Sequence, residues 1–215
     1  MWAKEVTIEI NATPEQIWKL WSDVKNWNQW DEEIEMSELY GGFEVGVKGV
    51  LKPKGGPKTK FEMLTVDYLR GFSDRSFLPL TKMDFIHKLE EKNGKLFITH
   101  RVEIKGTLTF LFSRVIGNKI ASELPKAMKK LSEMAEKVTK GIRVRLSLDQ
   151  ITPSFNQKIK EITENHPGNH NFKMIVWEPK EKIWIELLSR SHKVKVSRDL
   201  IKELETFPDI KYKLE

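Results

Sequence analysis

The chain has 215 residues, of which 39% are hydrophobic and 32% charged, and 37 Lys and Arg against 31 Asp and Glu give a formal net charge of +6. No apolar run approaches the roughly 20 residues that a membrane-spanning helix needs, and the absence of cysteine excludes disulfides, thiolate metal sites and cysteine nucleophiles. The length and composition predict a globular protein of one or two domains, and the absence of cysteine fits the cytoplasm. Because the basic excess is spread over both halves of the chain, we expect a solvated surface and no nucleic-acid partner.

The N-terminal segment predicts a strand followed by a capped helix. Residues 6–10 alternate apolar and polar side chains, and no signal-peptide core precedes them. Thr13 is suited to cap the helix and Pro14 to occupy its first position, and Gln16 completes the capping-box spacing. The following segment, KNWNQWD, predicts a short helical corner that is anchored by Trp27 and Trp30.

A run of strands follows, separated by turn-forming residues such as Gly41-Gly42 and the segment PKGGP. Consecutive strands joined by short turns form an antiparallel meander. Because helical patterns occur before and after this run, the chain is predicted to be α+β, with helices on one face of an antiparallel sheet. The predicted strands are 34–40, 45–52, 59–66, 71–78, 81–90 and 95–105.

The last two strands of the meander predict a hairpin with a defined register. Asn93-Gly94 is the strongest short-range signal for a two-residue type I′ turn. If Lys92 faces Lys95 across this turn, His87 lies opposite His100, and both imidazoles share a face with apolar residues. The other predicted pairs on this face are Leu89 with Ile98, Phe85 with Val102, and Met83 with Ile104.

The segment from Thr107 to Lys140 predicts one long amphipathic helix. Its apolar residues keep helical spacing for about 32 residues, or roughly 48 Å at 1.5 Å per residue. Pro125 cannot donate a backbone hydrogen bond inside the helix, so we expect a kink at 121–124. A stripe of this length needs a large concave partner, which the preceding sheet can supply.

Residues 1–140 resemble the START-like polyketide cyclase/dehydrase and lipid-transport superfamily, also called SRPBCC. The segments that carry the resemblance are IEINATPEQIWKLWSD, NWNQWD, GGFEVGVKGVLKP and VEIKGTLTFLFSRVIG, in this order. The resemblance implies a helix-grip fold, in which an antiparallel sheet curls around a long C-terminal helix and encloses a cavity. It also implies a small apolar or aromatic ligand, and some members of the superfamily act on that ligand chemically.

The polar candidates on the predicted cavity wall are His87 and His100. They could hydrogen-bond a ligand, relay a proton in a weak cyclase-type or isomerase-type reaction, or bind a metal. More commonly, such residues are core histidines whose hydrogen bonds are made by water or by each other. No third metal ligand is positioned by the sequence, so we expect no metal and no cofactor. The predicted cavity residues are Trp30, Met83, Phe85, His87, Leu89, Ile98, His100, Val102, Phe112, Ile116 and Ile120.

Gly141 is suited to end the long helix, and a second pattern of elements begins after it. The pattern predicts a small βαβββα-type domain over residues 141–215, with a possible further strand at its end. The predicted strands are 142–148, 172–177, 182–188, 194–196 and 210–214, and the predicted helices are 152–163 and 197–207.

Residues 141–215 resemble the C-terminal region of the bacterial DNA polymerase III alpha subunit, through RVRLSLDQITP, ENHPGN and SHKVKVSRDLIKELETFPDIKYKLE. In that family the region lies near the docking site of the clamp loader's tau subunit. The resemblance therefore implies protein docking rather than polymerase activity, because the polymerase's catalytic domains are absent from these residues. Two functions stay open, a ligand-binding protein and a replication-associated adaptor. The predicted partner-binding residues are Arg190, Lys193, Lys195 and Arg198, which could also form a solvated strand edge or contact phosphate.

Overall fold

The computed structural model describes residues 1–93, 95–189 and 192–215. The chain divides into two compact units, Met1–Ala135 and Glu136–Glu215. Each unit has its own apolar core. None of the helices in the described ranges is long and apolar enough to cross a membrane.

The first unit is built on a seven-stranded sheet in which every neighbouring pair of strands is antiparallel. Six strands follow one another as the predicted meander, and β1 pairs with β7, so the sheet order is β1-β7-β6-β5-β4-β3-β2. The strands are β1 (Trp2–Ile10), β2 (Ile34–Leu39), β3 (Lys48–Pro53), β4 (Thr59–Asp67), β5 (Gly71–Leu78), β6 (Thr81–Lys92) and β7 (Lys95–Gly106).

Helix α1 (Pro14–Ser22) begins with the predicted capping box. The backbone N–H of Thr13 donates to Gln16 Oε1 at 2.8 Å, and the backbone N–H of Gln16 donates to Thr13 Oγ1 at 3.4 Å. A 3₁₀ turn (Val24–Gln29) follows, in which the indole N–H of Trp27 donates to the carbonyl oxygen of Trp21 at 2.8 Å. The bond to Trp21 holds the Trp27 ring in the core.

The β6–β7 hairpin has the predicted register, with Lys92 opposite Lys95 and His87 opposite His100. Asn93 has φ 52°, a value that type I′ turns require, whereas Gly94, the other predicted turn residue, lies outside the described residues. The hairpin therefore places the two imidazoles side by side on the face of the sheet that forms the core.

The long helix consists of α2 (Thr109–Phe112), a π-helical turn (Ser113–Gly117) and α3 (Asn118–Lys137). The irregular turn lies before the segment where Pro125 was expected to kink the helix, and α3 continues through Pro125. The apolar stripe is buried only in α3, because Leu111 and Val115 in the first turns are 43% and 66% exposed. The buried face of α3 consists of Leu124, Ala127, Met128, Leu131 and Ala135.

The second unit combines a four-stranded sheet, in the order β10-β9-β8-β11, with two helices. Strands β8 and β9 are parallel because α4 crosses between them, and the other neighbours are antiparallel. The segment predicted as a strand at 194–196 forms only isolated bridges, from Val194 to Pro167 and His170. The elements are β8 (Gly141–Ser147), α4 (Pro153–Asn165), β9 (Pro167–Glu178), β10 (Ile183–Leu188), α5 (Arg198–Glu205) and β11 (Lys211–Leu214).

Candidate functional site

Two neutral histidines lie in the middle of the core-facing side of the large sheet. His87 and His100 are 7% and 2% exposed, and their ring centroids are 4.1 Å apart at an angle of 80°. Burial lowers the pKa of His100 to about 3, and burial followed by the charge of His100 lowers the pKa of His87 well below 6.5. Both imidazoles are therefore uncharged near neutral pH and each offers one donor and one acceptor.

A buried carboxyl group, Asp74, lies beside them and was missed by the sequence reasoning. The β5–β6 pairing sets Phe72 opposite His87 and Asp74 opposite Phe85, so Asp74 points to the same face as the histidines. Its Oδ1 is 3.9 Å from His87 Nε2, and its side chain is 5% exposed. The same face of β5 carries Phe72 and Ser76, so it has no apolar pattern from which the sequence could have revealed Asp74. Asp74, His87 and His100 are called the Asp–His–His group below.

The Asp–His–His group is uncharged as a whole near pH 7. Burial, and to a smaller degree the charge of Asp84, raises the pKa of Asp74 to about 8. The contact between Asp74 and His87 is therefore one between a carboxylic acid and a neutral imidazole, not an ion pair. Such a pair can hydrogen-bond a polar ligand atom and can exchange a proton with it.

Aromatic rings surround the group. Phe72 stacks on His87 with 4.1 Å between centroids, and Trp21 lies within 6 Å of both histidines. Trp30 is 6.0 Å from His100. Four buried ring nitrogens in this cluster, one from each histidine and the two indole N–H groups, have no hydrogen-bond partner among the described residues. Polar atoms in such an apolar place are the ones that would orient a bound molecule.

The other predicted cavity residues divide into a buried and a partly exposed set. The buried set comes from the corner and the β6–β7 hairpin, and the partly exposed set comes from Phe85 and the first turns of the long helix. The buried set packs in the same core as α3. The buried residues are Trp30, Met83, Leu89, Ile98 and Val102, and the partly exposed ones are Phe85, Phe112, Ile116 and Ile120.

A pocket of about 450 Å³ opens at the β5–β6 turn, which the sequence reasoning did not anticipate. Its lining includes the apolar Leu78 and Leu80 and the basic Lys82 and Lys105. Leu80 is 74% exposed and its carbonyl oxygen accepts from the backbone N–H of Thr107 at 3.0 Å. The pocket therefore lies where the sheet meets the beginning of the long helix.

No group of three or more His, Asp or Glu side chains in the described ranges is arranged to hold a metal ion. The Asp–His–His group is not such an arrangement. The chemistry of the group favours hydrogen bonding and proton exchange.

The predicted partner-binding residues lie in the second unit. Lys193 and Lys195 are exposed and alternate with the buried Val194 and Val196. Lys195 Nζ is 3.8 Å from Glu136 Oε2. Arg198 is partly buried at the first position of α5. The fourth residue of this set, Arg190, lies outside the described residues.

Comparisons with known proteins also divide the chain in two, a few residues after the boundary between the structural units. A family model described as polyketide cyclase/dehydrase and lipid transport matches residues 1–143, and one described as the DNA polymerase III alpha subunit, C-terminal domain, matches residues 142–215. None of the curated proteins matches this chain.

Several solved structures are similar to the first part of the chain. Protein MLL2253 from Mesorhizobium loti is 15% identical, with a TM-score of 0.51 over 64% of this chain and 98% of that chain. The hypothetical protein jhp0584 from Helicobacter pylori is 9% identical, with a TM-score of 0.52 over 62% and 86%. Ara h 8.0201 is 12% identical, with a TM-score of 0.50 over 62% and 97%. At such identities the likeness concerns the fold alone, and it confirms the predicted helix-grip.

Proposed function

Since this chain belongs to the polyketide cyclase/dehydrase and lipid transport family, we propose that its first unit binds a small apolar or aromatic ligand between the sheet and α3. The fold supports ligand binding in a hydrophobic cavity generally. The observation that carries the proposal for this chain is the Asp–His–His group, because it sets three hydrogen-bonding side chains into a largely apolar face. The ligand would contact the rings with its apolar part and the group with a polar atom.

Proton transfer is the second candidate for the same site, and the Asp74–His87 contact favours it. A carboxylic acid 3.9 Å from a neutral imidazole can deliver a proton to a carbonyl oxygen while the imidazole accepts one from a neighbouring carbon. This pairing of roles suits a weak cyclase-type or isomerase-type reaction. Binding alone does not require the acid and the base to be aligned with reacting atoms, so it is the function that we propose first.

Native mass spectrometry tests the binding proposal most directly. The purified protein should carry a co-purified apolar species that is lost when the protein is unfolded. A mass equal to that of the polypeptide alone, together with no binding of naphthalene or 2-naphthol by calorimetry, would contradict the proposal.

Replacing His87 or His100 with alanine should weaken the binding of 2-naphthol about tenfold, because one hydrogen bond worth about 1.4 kcal/mol is lost. The binding of naphthalene, which has no polar atom, should not weaken. Phenylalanine at either position keeps an aromatic ring and removes the nitrogens, so it separates loss of polarity from loss of volume. His166→Ala in the second unit is the control. Equal affinities of all variants for 2-naphthol would mean that the histidine pair is only structural.

We also propose that the second unit, residues 141–215, docks a protein and has no polymerase activity. The observation that favours docking is the alternation of exposed Lys193 and Lys195 with buried valines, which presents two charges from one ordered segment. The similarity to the polymerase C-terminal domain suggests a clamp-loader-type partner.

Lys193→Glu/Lys195→Glu should weaken binding to a purified bacterial clamp-loader tau subunit by tenfold or more, while Lys158→Glu on α4 should not. A duplex oligonucleotide serves as the competing ligand in the same titration. Binding to tau that persists above physiological salt supports protein docking. Binding to the oligonucleotide alone, lost with rising salt, would favour a phosphate contact and reject the docking role.

A further inference from the structure

Strand β10 is an exposed apolar edge. It stands at the end of the sheet order, so only β9 pairs with it among the described strands. All six of its residues are exposed, and five of them are large and apolar, with exposed fractions between 38% and 59%. These five are Ile183, Trp184, Ile185, Leu187 and Leu188.

Both faces of β10 are apolar. Ile185 lies opposite the buried Val176, so it belongs to the face that carries the core of the unit. Trp184 lies opposite Trp177 on the other face, and their rings are 4.9 Å apart. Edge strands in monomeric proteins are usually protected by lysines, prolines, bulges or short length, but β10 contains one charged residue, Glu186. A strand of this kind needs a partner strand on its free edge.

The sequence of β10 is complementary to itself in an antiparallel arrangement. Residues 182–186 are Lys-Ile-Trp-Ile-Glu, with a central tryptophan, an isoleucine on each side, and opposite charges at the two ends. When two copies are paired about Trp184, each Ile183 lies opposite an Ile185. Lys182, the turn residue just before β10 with φ 55°, then lies next to Glu186 of the second copy. Moving the centre to Glu186 would set two carboxylates opposite each other, which is unfavourable.

We propose that β10 pairs with β10 of a second copy of this chain in this antiparallel register. In this register odd-numbered residues face odd-numbered ones and even-numbered residues face even-numbered ones, so each face of β10 continues onto the same face of the second copy. The helices of both copies therefore lie on one side of a continuous sheet. The contact is isologous, and its two-fold axis passes beside Trp184. Glu186, which lies 3.3 Å from Lys173 in its own chain, gains a second cation from Lys182 of the second copy.

In this register only residues 183–185 of each β10 face one another. This seam is much smaller than the roughly 1,200 Å² of a standard interface, so the dimer is weak and depends on concentration. Sedimentation velocity of the full chain should give a mass that rises from monomer to dimer between about 10 µM and about 500 µM, within the range of weak dimer constants. Trp184→Lys should keep the monomer mass throughout, because it sets two lysines opposite each other. Leu148→Lys, which also places a lysine at an exposed leucine of this unit, should behave as the unchanged chain.

A charge exchange tests the register. Lys182→Glu should weaken dimerisation at least tenfold, because it lies next to Glu186 of the second copy, and Lys182→Glu/Glu186→Lys should restore it. Circular dichroism of each variant checks that the unit remains folded. A monomer mass at every concentration, a dimer that survives Trp184→Lys, or a double variant that stays as weak as the single one would each overturn the proposal.

Discussion

The unchanged protein should lose about 2 kcal/mol of stability between pH 6.5 and pH 8, and replacing Asp74 with asparagine should abolish this loss. Burial raises the pKa of this carboxyl from 3.8 to about 8. In the unfolded chain the group is ionised above pH 4, whereas in the folded protein it keeps its proton. Its contribution to stability is therefore complete at low pH and is lost as the pH rises towards 8, at about 1.4 kcal/mol per unit.

The window above pH 6.5 isolates Asp74 from the other shifted groups of the core. Burial lowers the pKa of His87 and His100, so the stability that depends on their neutral form falls as the pH drops below 6.5. Burial raises the pKa of Asp31 to about 6, so its contribution also changes below this window. Between pH 6.5 and pH 8, Asp74 alone of these four groups binds a proton in the folded state that it lacks in the unfolded state.

Urea unfolding followed by tryptophan fluorescence measures the effect, because five of the seven tryptophans belong to the first unit. The asparagine variant should be about equally stable at pH 6.5 and pH 8, whereas Asp67→Asn, which keeps Asp74, should lose about 2 kcal/mol as the unchanged protein does. Asp67 is exposed at the end of β4 and serves as the matched control. If Asp74→Asn and Asp67→Asn have the same pH dependence, Asp74 is ionised in the folded protein and the proton-donor role fails.

The position of the two histidines was predictable because two independent signals agreed. The Asn93-Gly94 turn and the alternation of the two strands both require His87 to face His100. The position of Asp74 was not predictable in the same way, because the β5–β6 turn has no such signal. Leu80 adopts φ 51° in that turn, a conformation that leucine rarely takes and that no turn rule assigns to it.

The long helix shows a second limit of sequence reasoning. Periodicity indicates which side chains share a face of a helix, but it does not indicate whether anything covers that face. Met128 and Leu131 on α3 are fully buried, whereas Leu111 and Val115 of the same predicted stripe are exposed to solvent. The same limit applies to β10, whose strand pattern was predicted while the exposure of both its faces was not. Burial depends on where the neighbouring elements end, which local sequence does not specify.

Replacing Gly71 with alanine should destabilise the first unit by about 3 kcal/mol, because both strain and overpacking contribute. Gly71 begins β5 with φ 155°, a conformation that favours glycine. A Cβ at this position would lie 2.2 Å from the carbonyl oxygen of His87 and 3.2 Å from the Cα of Lys88. These are backbone atoms of the paired strand, so β5 and β6 would have to move apart rather than a side chain turning away.

Gly55→Ala is the matched control for the cost of placing alanine at a positive φ without a steric contact. Gly55 also has a positive φ, of 73°, but a Cβ there would meet no atom within 4 Å. This variant should therefore lose only about 1 kcal/mol. Urea unfolding of both variants separates strain from steric contact, and equal stabilities would show that β6 accommodates the added methyl group. Because Phe72 follows Gly71 and stacks on His87, the alanine variant should also bind 2-naphthol less tightly, whereas Gly55→Ala should not.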